Sequence, residues 1–354
     1  MIFKLFALFF SIARALAWPV LRLFHAKHEV LGAGPSRAPP DPLHFPNYLQ
    51  NKQGLWLYWR EWRPTTTPVG VVFLVGGLAE HHARYDPIAA RFTARGFLCF
   101  SMDHQGQGGS EGERKYVERF HDYVDDLEMF VQSRLGVKDS AYGVKLVSLP
   151  RFILGHSMGG LITTHFCLRH PTFFYGAVLS APAYETEALD VYNKFPIAKA
   201  AARFLSGLVP KLPVDKLNAD FVSRNPQVVT LYKNDPIVPN NMLALRFGAE
   251  LMGAMDAVWE NTHKATFPFL LLHGTKDKLV SISGSEKFAQ RAASTDKKFC
   301  VYDDVFHEPF TDTVRCEDVF RDVFAFVDGH MKATFKPDWT LLTPMAGRLS
   351  PFSR

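Results

Sequence analysis

The chain has 354 residues, 47% of them apolar, and its 40 basic against 35 acidic side chains leave a formal net charge of +5. That composition suffices to bury a large core in one domain, with or without an insertion, and it excludes a disordered or fibrous chain. No dense Lys/Arg run is present, so nucleic acid is not an expected partner.

Residues 1–30 are the most hydrophobic stretch, but Lys4, Arg14 and Arg22 interrupt it and leave no uncharged run long enough to span a bilayer. At about 100° per residue Lys4, Ser11, Arg14 and Arg22 share one narrow helical face. This is the pattern of a helix lying in a membrane interface. A signal peptide or signal anchor, with Ala15-Leu16-Ala17 as cleavage site, is the competing reading, and Arg14 argues against it. The expected localisation is therefore a membrane surface, facing the cytoplasm or an endomembrane lumen, with secretion as the alternative. The absence of an Asn-x-Ser/Thr sequon weighs against secretion. Residues 31–50, rich in Pro and Gly, read as a linker.

From there the chain alternates. Strand-like runs at 55–62, 69–75, 97–102, 151–154, 176–180, 267–273 and 298–302 are interleaved with helical spacing at 86–95, 120–135, 159–170, 283–291 and 314–331. Apolar strands alternating with amphipathic helices predict an α/β fold with a mostly parallel central sheet covered by helices on both faces. The alternation is lost over about 183–251, which reads as an inserted helical cap within a domain spanning 51–331, followed by a tail at 332–354. Cys99, Cys167, Cys300 and Cys316 are widely separated without a Cys-x-x-Cys pair, so neither a zinc site nor a disulfide framework is expected. Cys99 and Cys300 sit in strand-like runs and read as buried thiols.

The segment Gly155-His156-Ser157-Met158-Gly159 lies between a short apolar strand and a helix. A sharp strand-to-helix turn needs small neighbours and projects the serine hydroxyl from the C-terminal edge of the sheet, which makes Ser157 a candidate nucleophile. The positive end of the following helix favours the charge that develops there. Two backbone N–H groups must hold the oxyanion. The candidates are Met158, after the serine, and Leu78, in the loop Gly76-Gly77-Leu78-Ala79 after an early strand.

A serine hydroxyl needs an imidazole to take its proton and a carboxylate to orient that imidazole, in the chain order Ser, Asp or Glu, His. Asp277 follows a buried strand-like run and is the leading acid; Asp303 and Asp304 compete for that role but read as turn residues. His307 follows the next strand-like run and is the candidate base, whereas His330 falls at the end of the last helix. His156 adjoins the serine on a turn where neighbouring side chains diverge, so it is expected to line or pack the site. His81, His82 and His104 cluster at the same sheet edge without metal-ligand spacing, and a structural role is expected for them.

With these residues in hand the chain resembles the monoglyceride lipase and lysophospholipase branch of the α/β-hydrolases. The resemblance rests on Gly77-Leu78-Ala79-Glu80-His81 with Arg84-Tyr85, Asp103-His104-Gln105-Gly106-Gln107-Gly108 with Ser110-Glu111-Gly112, the elbow around Ser157, and His273-Gly274-Thr275-Lys276-Asp277. It covers about residues 52–328. It implies Ser157, Asp277 and His307 as the triad, Leu78 and Met158 as oxyanion donors, and 183–251 as the cap over an acyl channel. Where that branch usually has His-Gly after the early strand, this chain has Gly76-Gly77. The expected reaction is hydrolysis of an acyl-lipid ester, a monoacylglycerol or lysophospholipid, through an acyl-enzyme and with no metal or organic cofactor. A short-chain carboxylesterase, an acyltransferase or a peptidase on the same scaffold and a non-catalytic binding protein are the alternatives. Serine at the elbow argues against an aspartate-nucleophile halide or epoxide hydrolase.

Overall fold

The computed structural model describes residues 47–136, 142–186, 196–215, 217–238 and 242–331. The amphipathic segment, all but the end of the linker and the tail at 332–354 lie outside these residues.

Eight strands form one sheet: β1 Tyr48–Gln50, β2 Trp56–Trp62, β3 Gly70–Val75, β4 Phe97–Met102, β5 Arg151–His156, β6 Gly176–Ser180, β9 Phe269–Gly274 and β10 Lys297–Tyr302. Their spatial order is β1-β2-β4-β3-β5-β6-β9-β10; β2 pairs antiparallel with both β1 and β4, and β4, β3, β5, β6, β9 and β10 run parallel to one another. The inner strands are buried along their whole length and mostly apolar because both faces are covered. Val71, Phe73 and Val75 of β3 point to one side, into a core shared with α2 (Phe120–Leu135), α3 (Met158–Arg169) and α7 (Ile282–Arg291). Val72 and Leu74 point to the other, against Ile88, Ala89 and Phe92 of α1 (Asp86–Thr93) and Val319, Val323 and Val327 of α8 (Cys316–Met331). Each large apolar side chain buried this way contributes about 1.5–3 kcal/mol relative to exposure.

Between β6 and β9 the chain leaves the sheet. This insertion carries α4 (Pro196–Leu208), β7 (Pro213–Asp215), α5 (Pro226–Asn234), β8 (Leu243–Ala244) and α6 (Leu245–Asn261), with β7 and β8 paired antiparallel. The architecture is the α/β-hydrolase fold with a helical cap. Two boundaries differ from the sequence reading. Tyr48–Gln50, inside the stretch read as linker, pairs with β2 as an edge strand. Helix α6 runs through position 251 because it has two apolar faces. Leu245, Ala249 and Met252 pack with Ala202 in the cap, whereas Phe247, Ala254, Met255 and Val258 join the main core.

The loops after β3, β5, β9 and β10 all emerge at the C-terminal edge of the parallel strands, with Val75 opposite Gly155, His156 opposite Ser180, and Gly274 opposite Tyr302. At β5 the turn into α3 is so tight that a Cβ on Gly159 would lie 2.1 Å from the Val75 carbonyl oxygen and 2.5 Å from that of Gly76. Backbone cannot yield as a side-chain tip does. Gly159→Ala is therefore expected to destabilise the protein by about 3 kcal/mol, read as a lower urea midpoint with unchanged slope; an unchanged midpoint would mean that α3 is not pressed against β3.

Candidate active site

Ser157 occupies the junction of β5 and α3 with φ 54° and ψ −120°, a conformation that costs a non-glycine residue about 1–3 kcal/mol. Backbone hydrogen bonds hold it there. Ser157 N–H donates to the Ser180 carbonyl at 2.9 Å, and its own carbonyl accepts from Ala183, Gly160 and Leu161 at 3.0–3.2 Å. Within a run of buried residues Ser157 alone is partly exposed.

Asp277 lies in the loop after β9 and His307 in the loop after β10, and the two loops are laced together. Thr275 N–H donates to the Tyr302 carbonyl at 3.0 Å, Lys276 N–H to that of Val305 at 2.9 Å, and Asp304 N–H to Thr275 Oγ1 at 2.9 Å. This brings His307 Nδ1 to 2.7 Å from Asp277 Oδ2. The other carboxylate oxygen, Oδ1, accepts from Leu279 N–H at 2.8 Å and Val280 N–H at 3.0 Å, so the acid cannot rotate freely. His273, an interior strand residue, stands 3.3 Å from Asp277 Oδ2. Burial pushes the Asp277 carboxyl up, but His307 and His273 outweigh it and hold the group far below its ordinary range. Burial pushes His307 down, and the Asp277 carboxylate outweighs that and holds its pKa above the ordinary value.

Gly77 faces Ser157: a Cβ there would come within 3.1 Å of both Ser157 Cβ and Glu80 Oε2. The N–H groups flanking Leu78 are committed, that of Gly77 to Glu80 Oε2 at 2.6 Å and that of Ala79 to Gln107 Oε1 at 2.6 Å. Leu78 thus sits between two pinned residues, and Met158 opens α3 directly after the serine. Where a histidine is usual, Gly76 instead offers its carbonyl to His104 Nε2 at 3.0 Å.

His81, His82, His330 and His156 each have a partner of their own. His81 Nε2 meets Asp235 of the cap at 2.7 Å, and His82 Nδ1 meets Asp103 at 3.0 Å. His330 meets Asp296 at 2.9 Å. The His156 ring packs 4.7 Å from that of His307, centroid to centroid, and burial lowers its pKa to about 4, so it is neutral near pH 7. Asp303 accepts from Thr275, and Asp304 turns the chain at φ 65°. Cys99 and Cys167 are buried free thiols; Cys300 and Cys316 are free and partly exposed.

A buried polar group escaped the sequence reading. Glu80, His156 and Glu308 bring potential ligand atoms within 4.8 Å of one another. The cationic partner already present is Arg84, whose Nη2 bonds Glu308 Oε1 at 2.5 Å and whose Nε lies 3.7 Å from Glu80 Oε1. The pair Glu80 and Arg84, four residues apart, is visible in sequence; its connection to Glu308 is not.

Residues 66–314 match the family model described as serine aminopeptidase, S33. The chain is 36% identical over 278 residues to the monoacylglycerol lipase of Mycolicibacterium smegmatis, covering 78% of this chain and 95% of that protein. It is 34% identical over 276 residues to the human monoglyceride lipase, covering 78% and 88%. The crystal structure of the Paleococcus ferrophilus monoacylglycerol lipase superposes with a TM-score of 0.66 at 27% identity, covering 77% of this chain and 99% of that one. With a serine elbow, a hydrogen-bonded Asp–His pair at the same sheet edge and relatives of this closeness, the chain belongs to the α/β-hydrolase family, in the branch of the monoacylglycerol and monoglyceride lipases, and is a serine hydrolase of the lipase and esterase class.

Proposed function

We propose that the protein hydrolyses the ester bond of a monoacylglycerol at a membrane surface, with Ser157, Asp277 and His307 as its triad. The observation that carries the reaction is the 2.7 Å bond from His307 Nδ1 to Asp277, which fixes the imidazole tautomer and orientation that a serine nucleophile requires. His307 takes the Ser157 proton as Oγ attacks the ester carbonyl. Leu78 and Met158 N–H groups hold the oxyanion, and His307 then protonates the departing glycerol oxygen. Water activated by the same histidine releases the fatty acid from the acyl-enzyme. No cofactor enters these steps.

The substrate class is supported by the relatives at 36% and 34% identity, which are lipases of monoacylglycerols by name. A lysophospholipid is the second reading, favoured by 28% identity to phospholipase YtpA of Bacillus subtilis. Contact with a lipid surface is supported by the cap. Ile197 is 85% exposed and Leu208 62%, on a helix that also exposes Phe204 and Leu205, with Leu212 and Val214 following. At about 100° per residue Ile197, Phe204, Leu205 and Leu208 share one helical face, and an exposed apolar face of this kind marks an interaction site. Among the described residues no helix is long and apolar enough to cross a membrane, so we assign the association to this face and to the amphipathic segment at 1–30.

Three outcomes follow. Ser157→Ala should abolish labelling by a fluorophosphonate probe and lower kcat on a monoacylglycerol by about 10⁶-fold; persistent labelling would move the nucleophile elsewhere. Because His307 must be neutral to accept the proton, kcat/KM should fall as pH drops through its raised pKa, with the acid limb above that of an ordinary imidazole. Asp277→Asn should shift that limb to lower pH and cut kcat about 10⁴-fold, and an unmoved limb would assign the titration to another group. The double substitution Ile197→Ser with Leu208→Ser should reduce co-sedimentation with phosphatidylcholine vesicles while leaving turnover of soluble p-nitrophenyl butyrate within about twofold. Undiminished vesicle binding would remove the cap face from the interface.

A further inference from the structure

The loops that carry the proposed oxyanion donor and the proposed base come from strands far apart in sequence, and their relative placement must be held to a fraction of an ångström for turnover. Misplacement by about 1 Å costs on the order of 10²-fold in rate. The Asp277–His307 contact orients the base against its own sheet edge but says nothing of where the loop at 76–79 sits relative to it. Something else must set that distance.

The buried group around Arg84 has the connectivity to do so. Glu80 Oε2 accepts from Gly77 N–H at 2.6 Å and from Tyr85 O–H at 2.7 Å, so this one carboxylate shapes the loop that lies against Ser157. Arg84 stands 3.7 Å from the other oxygen of Glu80 and reaches across to Glu308, the residue directly after His307, at 2.5 Å. Its guanidinium also lies 4.8 Å from the centre of the Tyr232 ring on cap helix α5. The Glu308 N–H is in turn bonded to the Val222 carbonyl of the cap at 3.0 Å. Arg84, Glu80 and Glu308 are all at least 85% buried as side chains, so the ion pairs are shielded from solvent and salt. The planar fork of arginine, with several donors at fixed angles, suits a group that must address two carboxylates at once.

We propose that Arg84 is a positioning residue of the active site: it locks the oxyanion loop, through Glu80, to the base loop, through Glu308, in a single register beneath the cap. This rests on the assignment of Ser157, His307 and Leu78 made above. One guanidinium serves two carboxylates, so removing it does more than delete a contact. It leaves two buried acids facing each other beside the base, and the loops they belong to are driven apart.

The electrostatic surroundings give the inference a readout that packing alone does not. His307 is faced by Asp277 from the loop after β9, by His156 from the elbow, by Glu80 from the oxyanion loop and by Glu308 beside it. Burial of His307 lowers its affinity for a proton, while Asp277, then Glu308 and Glu80, raise it. Glu308→Gln removes one of the raising charges, so the acid limb of kcat/KM should move to lower pH.

The test measures kcat, KM and pH profile with soluble p-nitrophenyl butyrate for the full-length wild type, Ser157→Ala, Arg84→Met, Arg84→Lys, Glu308→Gln and the double variant Arg84→Met with Glu308→Gln, with melting temperature recorded for each. Arg84→Met is expected to lower kcat about 10²-fold with KM held within about threefold. Arg84→Lys, which keeps the charge but not the fork, should recover part of the loss. The double variant should be no slower than Arg84→Met, because both substitutions cut the same connection. If Arg84→Met does not fold, Arg84→Lys and Glu308→Gln carry the test: reduced kcat in both, with the acid limb displaced in the latter, supports the proposal. Wild-type kcat and pH profile in the folded variants, whatever their melting temperatures, would overturn it. A wild type that fails to turn over the ester, or a Ser157→Ala variant that retains full activity, would instead overturn the catalytic assignment and this inference with it.

Discussion

Everything at the reactive edge hangs on the backbone of Ser157, which is held in a conformation that an L-residue rarely adopts. The strain is met by the surroundings. The Ser180 carbonyl holds the serine N–H, Ala183 bonds back to the serine carbonyl, and Gly159 allows α3 to lie against the carbonyls of Val75 and Gly76. Because the two central strands β3 and β5 are neighbours in the sheet, the same close approach that supports the elbow also presses the loop after β3 against the serine. The proposed nucleophile and the proposed oxyanion loop are therefore one mechanical unit, built from two glycine positions and a pair of parallel strands.

The proposed base, His307, arrives from the opposite half of the sheet, and polar contacts rather than apolar packing bring it in. Asp277 is fixed by two N–H groups and two histidines, and the His307 loop is stitched to the Asp277 loop by two backbone hydrogen bonds and by one from Asp304 N–H to the Thr275 hydroxyl. Buried carboxylates are costly unless each finds donors, and here each does. Asp277 has its turn N–H groups and histidines, Glu80 has Gly77, Tyr85 and Arg84, and Glu308 has Arg84. The distribution of donors decides which buried acids are stable as anions and thereby sets the field in which His307 titrates.

Much of this arrangement is legible in the sequence, for a physical reason. An apolar run ending in a tight turn marks the C-terminal end of a parallel strand, so the sequence alone assigns Ser157, Asp277, His307 and the loop at 76–79 to one edge. What sequence could not reach were contacts between distant positions: Arg84 to Glu308, His81 to Asp235, and the bidentate Arg224–Asp312 pair that ties the cap to the segment after the base. Polar residues on loops carry no periodicity, and each of these would pass for a solvated side chain. The end of the cap is not legible in the sequence for the opposite reason. Helix α6 is apolar on two faces, and a pattern that reports burial does not say against which layer. The three residues of β1 are too few to display alternation at all.

That two-faced helix bears on how the protein can be rebuilt. Leu245, Ala249 and Met252 belong to the cap while Phe247, Met255 and Val258 belong to the body, and they interleave along one continuous rod. A chimaera that imports a relative's substrate cover by cutting at the apparent domain edge would sever a shared girder and expose apolar surface on both fragments. Exchangeable material is bounded instead by the start of α6, and a graft that ends there keeps the rod and its host intact.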